Sequence, residues 1–157
     1  MAASYPGSVK TFSTKAPGQA IASSHINELQ DEIVAVETQL GVNAGAWQDW
    51  TPASQTGWTD IPTGTYRYSL VGKILHFLID ISAGTSNATS AILALPVTPS
   101  RRFNGANGFA VDNGTAITTA WFIETDGNIY FYTNTSAGTW TASGTKCVRV
   151  SGFYEVA

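Results

Sequence analysis

Large apolar residues recur at Ile26, Leu29, Ile33, Val36 and Leu40, in steps of three, four, three and four. That spacing predicts one helix over residues 23–41 with a narrow heptad seam, not the broad apolar face of a helix lying on a core. His25, Gln30, Glu32, Glu37 and Gln39 flank the seam with polar side chains, as residues beside an interchain contact do. Ser23 or Ser24 offers an N-cap oxygen, and Gly41 the left-handed residue that ends a helix. A rod of roughly 25 Å is marginal alone in water. The pattern therefore predicts a coiled-coil helix held by copies of itself, and Ile at a with mixed Leu and Val at d leaves the number of copies open.

On either side of the helix the period changes. Residues 1–22 have none: Pro6, Gly7, Pro17 and Gly18 interrupt them, and Tyr5, Val9 and Phe12 are the sizeable apolar anchors. They read as an extended arm that orders against a neighbouring protein surface. Residues 42–46 form a small-residue linker. From Trp47 the apolar positions alternate with period two, and residues 47–157 are expected to form one β domain.

The strongest strand is Ile74 to Ser82, with Leu75, Phe77, Ile79 and Ile81 on a core face and Ile74, His76, Leu78 and Asp80 opposite. Further strands are expected at Tyr66–Leu70, Ser90–Leu95, Phe103–Val111 (bulged near Gly105 and Gly108), Thr115–Glu124, Ile129–Thr133 and Lys146–Tyr154. Asp126-Gly127 between alternating runs is the clearest hairpin signal. Seven to nine short strands at regular spacing predict a mainly β protein whose C-terminal domain is a β-sandwich or jelly roll.

Composition narrows the function. Charged residues make up 12% and the formal net charge is −3, so no basic stripe offers itself to nucleic acid. No apolar run is long enough for a membrane helix, and the N-terminus lacks the basic start and apolar core of a secretory signal. Without such a signal, Asn87-Ala88-Thr89, Asn113-Gly114-Thr115 and Asn134-Thr135-Ser136 read as Asn-rich turns, not glycosylation sites. Cys147 is the single cysteine and is expected to be a small buried hydrophobe.

No catalytic or metal-ligating constellation emerges, and no cofactor is expected. The two histidines, His25 and His76, fall on the helix and on a strand among aliphatics. Glu28, Asp31, Glu32 and Glu37 line the helix, while Asp112, Glu124 and Asp126 sit at or beside turns, where Asp bonds its own backbone. The aromatics carry more. If Ile129 and Phe131 face the core, Tyr130 and Tyr132 face outward, close to Trp121 or Trp140. Such a cluster suits a subunit interface first and a glycan platform second.

Two stretches resemble segments of tailed-bacteriophage virion proteins. Tyr5-Pro6-Gly7-Ser8-Val9-Lys10-Thr11-Phe12, with His25 to Glu37 and Leu40-Gly41, is similar to the opening segment of fibre-like proteins. Tyr66-Arg67-Tyr68, Val71-Gly72-Lys73, Gly84-Thr85-Ser86-Asn87 and Leu95-Pro96-Val97 resemble their C-terminal β domain. The resemblance implies a homotrimeric appendage on the virion surface, anchored through its N-terminal arm to a capsid or tail protein and displaying its β domain. It brings no catalytic residues. With a linker of a few residues in place of a shaft, a short spike or capsid-decoration knob fits better than a reaching fibre. The alternative it leaves is a tail-fibre tip that recognises a host cell-surface glycan.

Overall fold

The structure is a computed structural model that describes residues 17–40 and 45–157, apart from the side chains of residues 37–40 and 106–107. The expected anchors Tyr5, Val9 and Phe12, and the expected helix stop Gly41, lie outside the described residues. The chain divides into two compact units, Met1–Ala46 and Trp47–Ala157.

The first unit contains α1 (Ser23–Leu40), 18 residues long. Its start differs from the expectation that a serine caps it. Both serines lie inside the helix, and the flanking residue is Ala22. The Ala22 amide donates to His25 Nδ1 at 3.1 Å, while the His25 amide donates to the Ala22 carbonyl at 3.0 Å. A side chain at the third helical position reaching back to the cap amide is the geometry of a capping box, with imidazole in the place usually held by Glu or Gln. Along the seam, Ile26, Leu29 and Ile33 are 48%, 47% and 48% exposed. Val36 is partly buried, and the side chain of Leu40 is among those not described. Glu32, expected on a polar flank, is buried.

The second unit is a sheet of nine strands: β1 (Gln48–Asp49), β2 (Gln55–Thr56), β3 (Thr63–Val71), β4 (Ile74–Ala83), β5 (Ile92–Ala94), β6 (Phe103–Asp112), β7 (Thr115–Ile123), β8 (Asn128–Tyr132) and β9 (Lys146–Glu155). The strands pair antiparallel in the order β1-β3-β4-β9-β6-β7-β8-β5-β2. The ladder is continuous, so the pairing does not divide into the two sheets expected of a sandwich. Instead the sheet curls over its own apolar face. Trp58, just past the edge strand β2, donates its indole N–H to the Lys146 carbonyl at the start of central β9, at 3.0 Å. Its ring also meets Phe131 of β8 edge-on, with centroids 6.5 Å apart.

Alternation decides what goes inside. Leu75, Phe77, Ile79 and Ile81 of β4 are all buried, as are Ile129 and Phe131 of β8 and Val148, Val150 and Tyr154 of β9. One core cluster joins them to Leu93, Trp121, Trp140 and Trp58. The turns follow local chemistry. Asn113 and Gly114 take φ values of 47° and 83° in the two-residue loop between Asp112 and Thr115, the pair of positive angles that a twisted hairpin requires. The bulge expected in β6 is present as a register shift between Ala106 and Gly108.

Candidate functional site

The β7–β8 hairpin builds a small polar-aromatic surface from local rules. Gly127 turns the chain at φ 84°, and Asp126 Oδ1 accepts the Asn128 amide at 3.0 Å, closing the turn. Inward Ile129 and Phe131 then force Tyr130 and Tyr132 to the opposite face. Tyr130 donates its hydroxyl to Asp126 Oδ2 at 2.7 Å. That bond holds the Asp126 carboxyl below its usual range and pushes the Tyr130 phenol up to about 12. Tyr132 packs edge-on against Phe122 of β7, with centroids 5.3 Å apart and planes at 85°. Beyond them Arg102 forms an ion pair with Glu124.

Two recesses share the tyrosine pair. One, of about 370 Å³, is lined by Arg102, Glu124, Thr125, Asp126 and both tyrosines. The other, of about 190 Å³, lies toward β5, where Ser90, Ile92, Thr139 and Trp140 join Tyr130 and Tyr132. The tyrosines thus stand as a ridge between a charged basin and an apolar one. A larger depression of about 610 Å³ is lined in part by Trp50, Ile61, Pro62 and Tyr66 and by Arg67 and Asp49, which form an ion pair at 2.9 Å; the Trp50 indole N–H beside it has no hydrogen-bond partner among the described residues.

Trp121 and Trp140 are both core residues, 7% and 2% exposed: Trp140 still lines the apolar recess beside the tyrosines, as expected, whereas Trp121 does not join this surface. Trp121 turns inward because its neighbours make room. A Cβ at Gly105, its cross-strand partner, would stand 2.2 Å from the indole, and one at Gly152 would stand 2.6 Å from it. The vacated space seats Trp121 edge-on to Phe77, centroids 5.2 Å apart. Trp140 belongs to the loop between β8 and β9 and donates its indole N–H to the Phe131 carbonyl at 2.8 Å. Asp112 fixes that loop: its carboxylate accepts the Thr141 amide at 3.0 Å and the Thr141 hydroxyl at 3.0 Å. Sequence reading had assigned Asp112 to its own turn.

Sequence reasoning missed Lys146. Cys147, expected inside, is only partly buried, and Lys146 beside it is fully buried. Strand parity explains the exchange. Val148 and Val150 fix the inward face of β9, and Lys146 shares their parity while Cys147 does not. The Lys146 ammonium donates to the carbonyls of Gly57, Ala88 and Ser90 at 3.0, 2.8 and 2.7 Å. It also stands 5.5 Å from the Trp58 ring centre and 5.4 Å from that of Trp140. Three acceptors match its three protons, and two ring faces replace lost water. Burial still pushes its pKa down to about 8, against the opposing charge of Asp112. The geometry makes Lys146 an internal clamp that ties two loops to β9. The signal was available: a lysine in phase with two inward valines.

The opposite part of the sheet's outer face has another character. Ile74 and Leu78 of β4, Phe109 of β6 and Phe153 of β9 are 38%, 37%, 48% and 56% exposed. His76 tilts over Phe153, ring centres 5.9 Å apart. The Arg149–Asp80 ion pair at 2.7 Å lies on the same stretch of β4 and β9.

Among the described residues, no three His, Cys, Asp or Glu side chains gather as a metal site. No described helix is long and apolar enough to cross a membrane. Compared with known proteins, the chain matches no family model and no curated protein sequence.

Proposed function

We propose that this chain is a non-enzymatic structural protein of a tailed-bacteriophage particle. It would form a homotrimeric short spike or capsid-decoration protein, held to the particle by its N-terminal arm and displaying the β unit outside. The observation that carries the self-associating part is the seam of α1. Ile26, Leu29 and Ile33 stand half exposed at heptad spacing, on a helix too short to persist in water without a partner. A second copy supplies the burial that the single chain lacks. The apolar outer face around Ile74, Leu78, Phe109 and Phe153 adds area of the kind that homomeric contacts bury. The assignment to a virion rests on the resemblance of residues 5–12, 25–37 and 66–97 to appendage proteins.

The test is sedimentation of the full chain beside Ile33→Asp. The expected outcome is a trimer reduced to monomer, with the melting of the β unit unchanged, because one buried carboxylate per copy in a short seam costs more than the seam contributes. A trimer that survives the change moves assembly to the β unit. Electron microscopy of particles, with and without the protein, then locates it on capsid or tail; particles that never carry it reject the virion reading.

A further inference from the structure

The surface around Tyr130 and Tyr132 is poorly suited to a second copy of the chain. It is broken by two recesses, and its rim carries Asp126, Glu124 and Arg102. Flat apolar area lies elsewhere, on the outer face of β4, β9 and β6. What the ridge offers is a pair of rings two residues apart on one strand, roughly 7 Å in spacing, with hydrogen-bonding groups on one side and an apolar hollow on the other.

We propose that the two recesses beside Tyr130 and Tyr132 form a binding site for a neutral oligosaccharide, independent of where the protein sits on a particle. A pyranose ring carries C–H groups on one face and hydroxyls around its edge. The face stacks on an aromatic ring, and the edge hydroxyls meet carboxylates and guanidinium groups that accept and donate in the ring plane. The charges present select against other ligand classes. The carboxylates of Asp126 and Glu124 against the single guanidinium of Arg102 repel phosphate and uronate. Glu124 is paired with Arg102, and the two oxygens of Asp126 are engaged by the Tyr130 hydroxyl and the Asn128 amide, so neither carboxylate stands free as a ligand for a metal cation. An uncharged, hydroxyl-rich ligand spanning both basins fits best, so at least two sugar units are required. Phe122, edge-on to Tyr132, holds that ring in place before any ligand arrives.

The experiment uses the full chain on a printed array of neutral, uronic-acid-containing and phosphorylated oligosaccharides. The best-retained neutral oligosaccharide is then titrated while backbone amide shifts are followed. Expected are retention of neutral members only and shifts centred on residues 124–132. Tyr132→Ala should weaken binding about tenfold or more, the scale of one lost stacking contact. Tyr130→Phe, which keeps the ring, should change it by less than about threefold. Phe153→Ser, on the other outer face, should leave it unchanged. No neutral oligosaccharide retained, a preference for charged ones, shifts that map elsewhere, or full binding by Tyr132→Ala each overturns the site. So does a Tyr132→Ala chain whose sedimentation changes while its array binding does not, since the ridge is then a contact between copies. If Tyr132→Ala fails to fold, the amide-shift map of the unaltered chain decides alone.

Discussion

The helix and the sheet handle their apolar residues in opposite ways. In the β unit, the inward-facing side chains of β4, β8 and β9 are covered by the curl of the same sheet, down to a fully buried lysine. In α1 the seam residues Ile26, Leu29 and Ile33 stand half exposed. A sheet of nine strands closes a core by bending, which one helix of 18 residues cannot do by itself. The proposed anchored, multimeric appendage would pair a self-sufficient displayed domain with a helix completed by its copies. The contrast also says where mutations should register: sheet changes in folding, helix changes in assembly.

The largest effect is expected at the sheet's tightest packing. Trp121→Ala removes a ring that Gly105, Gly152 and Phe77 are shaped around, and should destabilise the β unit by about 3–5 kcal/mol. Gly105→Ala alone should cost about 1–3 kcal/mol, because its methyl meets the indole. Made together with Trp121→Ala, the Gly105 change should cost far less, since the obstacle is gone. Denaturant unfolding of the two single variants and the double variant reads this coupling directly. Additive losses would mean that the indole does not depend on the glycine. Neither change should alter the self-association of the folded chain.

Much of this organisation is legible in the residues. The helix, the alternation of β4, the Asp126-Gly127 hairpin and the bulge of β6 follow from spacing and turn chemistry, and each is found within a few residues of its expected place. The outward placement of Tyr130 and Tyr132 follows from Ile129 and Phe131 in the same way. Other features depend on neighbours distant in the chain. Trp121 is inward because Gly105 and Gly152 flank it in the sheet, which no local pattern states. Asp112 serves a loop 29 residues away instead of its own turn. β1 and β2 have two residues each, too few for any period. The single curled sheet depends on β9, the last strand, inserting between β4 and β6.

An intermediate effect belongs to Lys146, where the sheet's self-sufficiency is most strained. Lys146→Met keeps the stem and removes the ammonium, leaving the carbonyls of Gly57, Ala88 and Ser90 without that donor. About 2–4 kcal/mol of destabilisation is expected at pH 7, the lost charge-assisted bonds being partly offset by relief of a buried charge. The pH dependence sharpens the reading. A lysine near 8 when folded and 10.5 when unfolded binds fewer protons in the folded state between those values. Stability attributable to it must therefore rise with pH across that window and level off above it. The stability of the unaltered chain minus that of Lys146→Met should grow from pH 8 to 10.5, by at most about 1.4 kcal/mol per pH unit. Tyr66, Tyr154 and Cys147, all pushed upward by burial, are common to both chains and cancel in the difference. A flat difference would show that the three carbonyls hold the proton as firmly as water does.

The smallest effect should come from the helix cap, and it tests the contrast from the other side. His25 is the side chain that reaches back to the Ala22 amide, so His25→Ala leaves a helix-start donor without its partner. Losing such a cap costs about 0.5–1 kcal/mol. In a sheet with its own core that sum would appear as lowered melting. In a helix stabilised by association, as proposed for α1, it weakens assembly, once per copy. A trimer therefore loses about 1.5–3 kcal/mol of association free energy, one to two decades in the product of its association constants. Sedimentation over a dilution series should show the trimer dissociating at higher concentration in His25→Ala, while the melting of the β unit stays where it was. His25→Gln, whose amide oxygen can accept the same bond, should recover most of the loss. If both variants assemble like the unaltered chain, the helix start is frayed in the assembled state, and the seam is held from its Ile33–Leu40 end.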